Sequence, residues 1–439
     1  MNDRSLPVRL GAVLSLALLA AHALRTGDMG GCAFFLGLAA LSFTRRAFTR
    51  PVLAAALVYG TFLWTRTALD MVRFRMLFGE PWLRMALIMA AVAGLGLAAL
   101  GALLAKPGVR AFHRYPRAAG VQGAAFILTA GLLFIARAKA PLPLLLLDRF
   151  LPGWGGLEIL GLSFYAAWIA GLMADPAKAA VVRGRYWSLF SAVFFLQLAL
   201  GLLGASVFLM TGALHLPVPA LILGGPLYRG GGYFMPILFG CALLLIGPGW
   251  CGHLCYIGAW DDRLSRLSGK TRKPLPPWAR HGRLGALILT ILLALGFRFL
   301  GVPALPAVLT AAAFGLCGVF VMLLVSRKLG LMAHCTAWCP MGLVADVLGK
   351  ISPWRLRIGE NCDACGRCAR VCRYGALTPA GLKAKRPGLT CSLCGDCVGA
   401  CKKAQIGYSL FGVSPNNARL AYLALAVSLH AVFLGLARI

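Results

Sequence analysis

The chain has 439 residues, 60% of them hydrophobic and 13% charged, with 44 Lys and Arg against 13 Asp and Glu for a formal net charge of +31. A water-soluble domain is usually about a quarter charged and less than half apolar, so this composition excludes an ordinary soluble enzyme and places most of the chain in lipid. The positive charge is spread between apolar stretches rather than gathered in one soluble domain, which excludes a nucleic-acid partner and makes membrane lipid the natural counterpart.

Apolar runs of the roughly 20 residues needed to cross a bilayer recur along the whole chain. Spans are expected near 10–24, 30–44, 51–65, 83–105, 118–136, 157–174, 187–211, 234–249, 284–300, 305–326 and 419–437. The second and third are short, so the expected fold is an all-α polytopic membrane protein of about 10–12 transmembrane helices. With the N-terminus inside and the spans alternating, about 33 of the 44 Lys and Arg fall on one side, as positive-inside orientation requires. They include Arg45, Arg46 and Arg50, then Lys106 and Arg110, then Lys178, Arg183 and Arg185. A prokaryotic cytoplasmic (inner) membrane location follows, with residues 327–418 on the cytoplasmic side. Ala21-His22-Ala23 resembles a signal-peptide cleavage site, but cleavage there leaves the side of the later loops unchanged. No acidic residue falls at the centre of an expected span, where proton pumps usually carry one.

Three isolated features are weaker. His22 and His430 lie in apolar spans and have the chemistry to ligate haem, yet with no shared motif they read as buried, satisfied histidines. Cys32, Cys241 and Cys317 have no spaced partner and read as small apolar residues. The glycine-rich outer loop from Thr211 to Pro236 carries His215, Tyr228 and Arg229. Its glycines permit close backbone approach, so it could shape a quinone or partner site. The other reading is a re-entrant connection packed between helices.

An internal repeat follows. Residues 251–267 and 335–351 both fit C-x3-C-x2-G-x3-D-x-L-x-(Lys/Arg)-(Leu/Ile) without a gap. Cys251, Cys255, Gly258 and Asp262 answer to Cys335, Cys339, Gly342 and Asp346. Each copy follows a two-span hairpin, which suggests a duplicated unit related by an approximate two-fold axis. Spacing i,i+4 places two thiols on one helical face. Two such faces meeting would gather four thiols, a set that suits iron, an iron–sulfur cluster, zinc or Cu(I), with His253 and His334 as auxiliary ligands. Cycling as dithiols is equally open. Asp262 and Asp346 read as partners for nearby cations rather than ligands.

Cys362, Cys365, Cys368 and Cys372 read C-x2-C-x2-C-x3-C, and Cys391, Cys394, Cys397 and Cys401 repeat that spacing. This doubled run is the bacterial-ferredoxin pattern for two 4Fe–4S clusters, in which the fourth cysteine of each run ligates the other cluster. One cluster is then expected on Cys362, Cys365, Cys368 and Cys401, the other on Cys391, Cys394, Cys397 and Cys372. Zinc is the alternative for C-x2-C pairs, but the third and fourth cysteines fit it poorly. Cluster binding would supply much of the core that a small α+β two-cluster domain is too short to bury. Nearby Arg367, Arg370, Arg373, Lys383, Lys385, Arg386, Lys402 and Lys403 either steer an acidic carrier or fix topology against phospholipid.

With these motifs in view, residues 185–439 resemble the membrane polyferredoxins of the NapH/NosR type, whose relatives include a copper-handling accessory protein of haem–copper oxidase assembly. The matching stretches are GPGWCGHLCYIGAWDD, HCTAWCPMG, ISPWRLRI and the two ladders. Tyr256 stands where the repeat's second copy has Pro340, and Arg373 and Lys402 stand where ferredoxin runs commonly have proline. The resemblance implies a helical platform and a cytoplasmic two-cluster domain passing electrons between quinones or cytoplasmic carriers and another redox protein, in the service of a respiratory complex; the basic residues suit an acidic ferredoxin or flavodoxin as the carrier. No loop in residues 1–180 is large enough for a flavin-bearing domain.

The expected layout is a bundle of about six spans over 1–185, a duplicated hairpin module over 186–351, a ferredoxin-like domain over 352–412 and a final helix over 413–439. The expected function is membrane electron transfer, as a quinol-linked subunit rather than a stand-alone enzyme. Two other readings stay open: a copper reduction or assembly factor, and the electron-input subunit of an ion-motive complex.

Overall fold

The computed structural model describes residues 6–113, 118–208, 217–268, 272–276 and 278–436. The chain divides into two compact units, Met1–Gly171 and Leu172–Ile439. Among the described residues ten helices are long and apolar enough to cross a membrane, and a two-stranded sheet is added near the C-terminal end. The mostly helical architecture and the number of spans match the sequence expectation.

The first unit contains α1 (Leu6–Arg25), α2 (Met29–Leu41), α3 (Thr49–Leu77), α4 (Leu83–Leu104), α5 (Ala119–Lys139) and most of α6 (Gly155–Met173). With 13 residues, α2 is only about 20 Å long, short of the roughly 30 Å hydrocarbon core. Its start is fixed by Asp28, whose carboxylate accepts from the Gly31 N–H at 3.0 Å. Gly30 and Gly156 let α2 and α6 touch backbone to backbone: a Cβ on Gly30 would lie 2.4 Å from the Gly156 nitrogen. Small residues allow this approach in membranes, where van der Waals packing replaces the hydrophobic drive between helices.

The second unit begins with α7 (Pro176–Leu202), which starts well before the span expected at 187. Asp175 caps it by accepting from the Ala177 N–H at 3.0 Å, and Pro176 occupies the first turn, where its missing N–H costs nothing. The charges that looked like loop, Lys178, Arg183 and Arg185, therefore lie on a helix. Next come α8 (Phe234–Ile246), α9 (Tyr256–Arg266), α10 (Ala279–Phe299), α11 (Ala304–Phe320) and α12 (Pro340–Leu348). Around α11 and α12 the backbone widens to π-helical turns at Val321–Ser326 and His334–Trp338, a local form frequent at functional sites.

The ladder segment is closed by β1 (Arg355–Ile358) and β2 (Ile406–Ser409), antiparallel with Arg355 opposite Ser409 and Ile358 opposite Ile406. Leu356, Ile358, Ile406 and Tyr408 are buried, the alternation expected of a strand with one covered face. Between the strands lie three short helices, α13 (Arg367–Val371), a turn at Pro379–Lys383, and α14 (Asp396–Ala400). The final helix, α15 (Pro415–Leu436), packs against α7, α8 and β2. Within its apolar window 67% is buried, against 11% for Ala304–Leu329.

Candidate functional site: a series of thiol-lined cavities

Both ladders wrap around hollows in the second unit. Cys362, Cys365, Cys368 and Cys401 line one of about 200 Å³. Cys372, Cys391, Cys394 and Cys397 line a narrower one of about 20 Å³. The crossing comes from two packed helices: α13 carries Cys368 and ends at Cys372, while α14 carries Cys397 and ends at Cys401. Each short helix therefore serves both hollows.

The ladder backbones are matched as well. Ala364 and Leu393 hold φ of 53° and 51°, and Gly366 and Gly395 hold 74° and 78°. A left-handed conformation is uncommon for residues with a Cβ, so its recurrence at equivalent places reflects a shared demand. Turns of this kind aim successive N–H groups into a concavity that suits anions, including iron–sulfur clusters. Among the described residues no three His, Cys, Asp or Glu side chains converge on a single ion. A tetrahedral zinc would need its sulfurs about 2.3 Å from one point, so thiols spaced round a hollow fit a multi-atom cluster better. The narrower hollow holds little more than one water, and its thiols must move outward to take such a group. Burial pushes the Cys391 and Cys394 thiols up to about 12, so binding there must displace protons.

The repeat forms a third cavity, about 400 Å³, lined by Cys251, Cys255, Cys335 and Cys339 together with His334. Its two halves share one backbone hydrogen bond and one extended cysteine, although Trp250–His253 is α-helical and His334–Trp338 π-helical. The Cys255 N–H donates to the Trp250 carbonyl at 3.1 Å, and the Cys339 N–H to the His334 carbonyl at 2.8 Å. Both second cysteines are extended, with ψ of 113° and 117°, and immediately precede α9 and α12. Gly258 and Gly342 explain the invariant glycine of the pattern. A Cβ there would come within 3.0 Å of the Cys251 carbonyl or 2.7 Å of the Cys335 carbonyl. Burial pushes the Cys255 thiol up to about 12, raises Cys335 and Cys339, and lowers His334 to about 4. His334 keeps a buried Nδ1 without a hydrogen bond among the described residues. His253 is not among the residues lining this cavity. It hydrogen-bonds the Tyr186 hydroxyl through Nδ1, and its carbonyl lies 3.3 Å from His430 Nδ1.

The repeat aspartates are ion-paired. Asp346 accepts from Arg283 at 2.6 Å. Asp262 accepts from Arg266 at 2.7 Å and from Arg183 at 3.2 Å. Asp261 stands opposite Ala345 in the repeat, and it joins the two copies by accepting from the Cys335 N–H at 3.0 Å. Burial raises it to about 6.

Residues unnoticed in the sequence connect the second ladder to the four-thiol chamber. Tyr374 and Ser392 line both cavities, and the Tyr374 hydroxyl donates to the Cys251 carbonyl at 3.1 Å. Gly252 allows the approach: a Cβ there would lie 3.3 Å from Ser392 Oγ and 3.4 Å from Cys394 Cβ. Arg183, fully buried, contacts both Asp396 oxygens at 2.8 Å and the Gly252 carbonyl at 3.1 Å. Arg373, where a ferredoxin run would have proline, donates to the Ser265 carbonyl at 3.3 Å and the Gly330 carbonyl at 2.9 Å. It thereby ties one ladder to the first repeat copy and to the turn that precedes the second, which proline could not do.

On its other side the chamber shares Pro217, Pro219 and Phe314 with a cavity of about 250 Å³ that Tyr228 and Arg229 line. The Tyr228 hydroxyl donates to the Val302 carbonyl at 2.6 Å. His215, assigned to the same site from sequence, lies outside the described residues. Cys241 and Cys317 are exposed and Cys32 is half-buried.

These features define a multi-pass membrane protein whose helices carry a cysteine-rich segment over a thiol-lined chamber. Regulatory protein NosR of Pseudomonas aeruginosa is similar to it, 32% identical over 170 residues, covering 33% of this chain and 24% of the relative. The chain thus spans about a quarter of that protein's length. No family model matches the chain, and no solved structure does.

Proposed function

We propose that this protein relays electrons one at a time between soluble carriers and a membrane quinone, in the service of a respiratory partner. Cys362, Cys365, Cys368 and Cys401 would hold one 4Fe–4S cluster, and Cys372, Cys391, Cys394 and Cys397 the other. The four-thiol donor set of Cys251, Cys255, Cys335 and Cys339 suits a further thiolate-bound iron, iron–sulfur or copper centre. When bound, such groups supply the one-electron steps.

One observation carries this reading: the second ladder's hollow, the four-thiol chamber and the Tyr228/Arg229 cavity form a series with shared walls. Tyr374 and Ser392 stand between the second ladder and the chamber, and Pro217, Pro219 and Phe314 between the chamber and the Tyr228/Arg229 cavity. At the other end, exposed Arg367, Lys402 and Lys403 line the first ladder's hollow and give an acidic ferredoxin or flavodoxin a place to dock. The charge distribution of the loops supports a cytoplasmic position for that end. Likeness to a protein named as regulatory supports an accessory role rather than a terminal enzyme.

Iron and acid-labile sulfide assays with EPR on anaerobically purified protein test the ladders, with about eight iron atoms per chain expected from two 4Fe–4S clusters. A variant with Cys251, Cys255, Cys335 and Cys339 all changed to Ser should keep the ladder signals and lose quinone-linked turnover. Iron-free protein, or a variant with turnover intact, would refute the relay. Intact turnover with copper missing from a client enzyme would instead establish metal delivery.

A further inference from the structure

The arginines around the second ladder fall into two sets. Arg183 and Arg266 are matched by Asp262 and Asp396, two cations against two carboxylates. Arg272 and Arg373 have no such match: among the described residues neither is ion-paired with a carboxylate. Arg272 keeps a buried Nε and a buried Nη1, and Arg373 a buried Nε, with no hydrogen-bond partner among the described residues. Buried cationic nitrogens left without a counter-charge or acceptors are strongly unfavourable, so two such arginines at one place call for an anion.

The backbone brings them to one place. Between them lies the turn at 329–332, with Gly330 left-handed at φ 67°. On one side the Lys273 N–H donates to the Leu329 carbonyl at 3.0 Å, which fixes the residue next to Arg272. On the other the Met332 N–H donates to the Arg373 carbonyl at 3.0 Å, and Arg373 Nη1 donates to the Gly330 carbonyl at 2.9 Å. Cys372 immediately precedes Arg373 and lines the second ladder's hollow. Burial lowers the Arg272 pKa; the Cys372 sulfur pulls it back up, and Arg373 pushes it down again. The two guanidiniums therefore repel each other, and a ladder sulfur is what attracts Arg272. Their orphaned nitrogens are closed to solvent, which shuts out a lipid phosphate.

A 4Fe–4S cluster on four thiolates is a net anion, and reduction adds one more negative charge, so its potential answers to nearby charge and to solvent exposure. The two ladders differ in exposure. Cys365 of the first is exposed, whereas no thiol around the second hollow is. Burial alone would make the second cluster the harder one to reduce. We infer that Arg272 and Arg373 supply fixed positive charge that offsets this burial and raises the reduction potential of the cluster proposed at Cys372, Cys391, Cys394 and Cys397. They act through space and are not ligands. The inference rests on the cluster assignment of the proposed function and adds to it the residues that let an electron pass inward from the first ladder.

Redox titration followed by EPR, on the anaerobically purified full-length protein, reads the midpoint of each cluster. Arg272→Gln should shift the second cluster's reduction equilibrium at least tenfold toward the oxidised form, about 59 mV for a one-electron couple. The first cluster's midpoint should stay where it is. Arg272→Lys, which keeps the charge, should recover most of the shift. High salt should leave the shift in place, because buried charges are screened little. Arg272 is the cleaner probe, since Arg373→Gln would also break the contacts to Ser265 and Gly330. Unchanged midpoints in cluster-loaded protein, equal shifts in both clusters, or a Lys variant that behaves like the Gln variant would overturn the inference and leave the relay standing. A parent protein with no second cluster signal would overturn the cluster assignment itself, and this inference with it.

Discussion

Removing Arg183 should destabilise the junction between the ladders and the membrane helices more than any other single charge deletion. Its guanidinium is fully buried and bridges Asp396, Asp262 and the Gly252 carbonyl. Deleting one partner of a buried ion pair typically costs about 3–5 kcal/mol, because a charge is left uncompensated. Arg266 remains 2.8 Å from Asp396 and 2.7 Å from Asp262, but its side chain is 33% exposed and correspondingly screened. The lower end of the range, about 3 kcal/mol, therefore applies, equivalent to about 150-fold in the folding equilibrium. Arg183→Met preserves most of the packing against Trp187, over which the guanidinium sits at 5.0 Å. Thermal unfolding in detergent and EPR of each cluster are the readouts. If Cys391, Cys394 and Cys397 hold a cluster as proposed, its signal should be lost first, since Asp396 lies between two of those cysteines. Adding Asp396→Asn should restore much of the stability, because the orphaned charge is then gone. If Arg183→Met melts with the parent, or the double variant is no better than the single, the bridge is not what holds the segment down.

Gly395→Ala should cost more than Gly366→Ala, with differential melting as the measure. Both add about 1–2 kcal/mol of left-handed strain, but only at position 395 does the new Cβ meet an atom, the Tyr408 hydroxyl at 2.6 Å. Gly252→Leu should wedge Ser392 and Cys394 away from the chamber; under the proposed relay this slows electron passage to quinone at least tenfold in stopped-flow traces while the spectrum of the cluster proposed at Cys362 is kept, and unchanged traces would refute the contact. Asp346 is held at about 6 by burial, against the opposing pull of Arg283. Between its ordinary value near 3.8 and about 6 the folded chain binds more protons than the unfolded one. Its contribution to stability therefore falls as pH rises through that window and is flat above it. Melting temperatures at pH 4.5 and 6.5 should differ less in Asp346→Asn, and an equal difference would contradict this.

The parts of the molecule that repeat at short range were readable before any coordinates. Among the described residues the apolar runs located ten helices; the four-residue offset of each repeat cysteine pair did not place both thiols on one helical face, because Cys255 and Cys339 are extended and begin the next helix. Long-range partnerships were not readable. Arg183 looked like topology charge, since nothing near it in sequence reveals that Asp262 and Asp396 will close round it. Asp261 left no signal of its own: it falls at a variable position of the repeat, opposite Ala345, as Arg263 falls opposite Val347. His253 and His334 flank equivalent cysteines, yet only His334 lines the chamber, as the helices around His253 present Tyr186 and His430 to it.

The deep burial of α15 has a consequence for biogenesis. It follows its neighbours in the polypeptide, and the ladder segment precedes it. During synthesis, α7 and α8 must therefore wait with an open seam until this keystone arrives. Tyr422 and Tyr408, packed at 4.7 Å, meet only then, so the seating of the cysteine-rich cap and the sealing of the bundle become a single late event. A nascent chain stalled before this point would expose an unfilled cleft to the insertion machinery and to quality-control proteases.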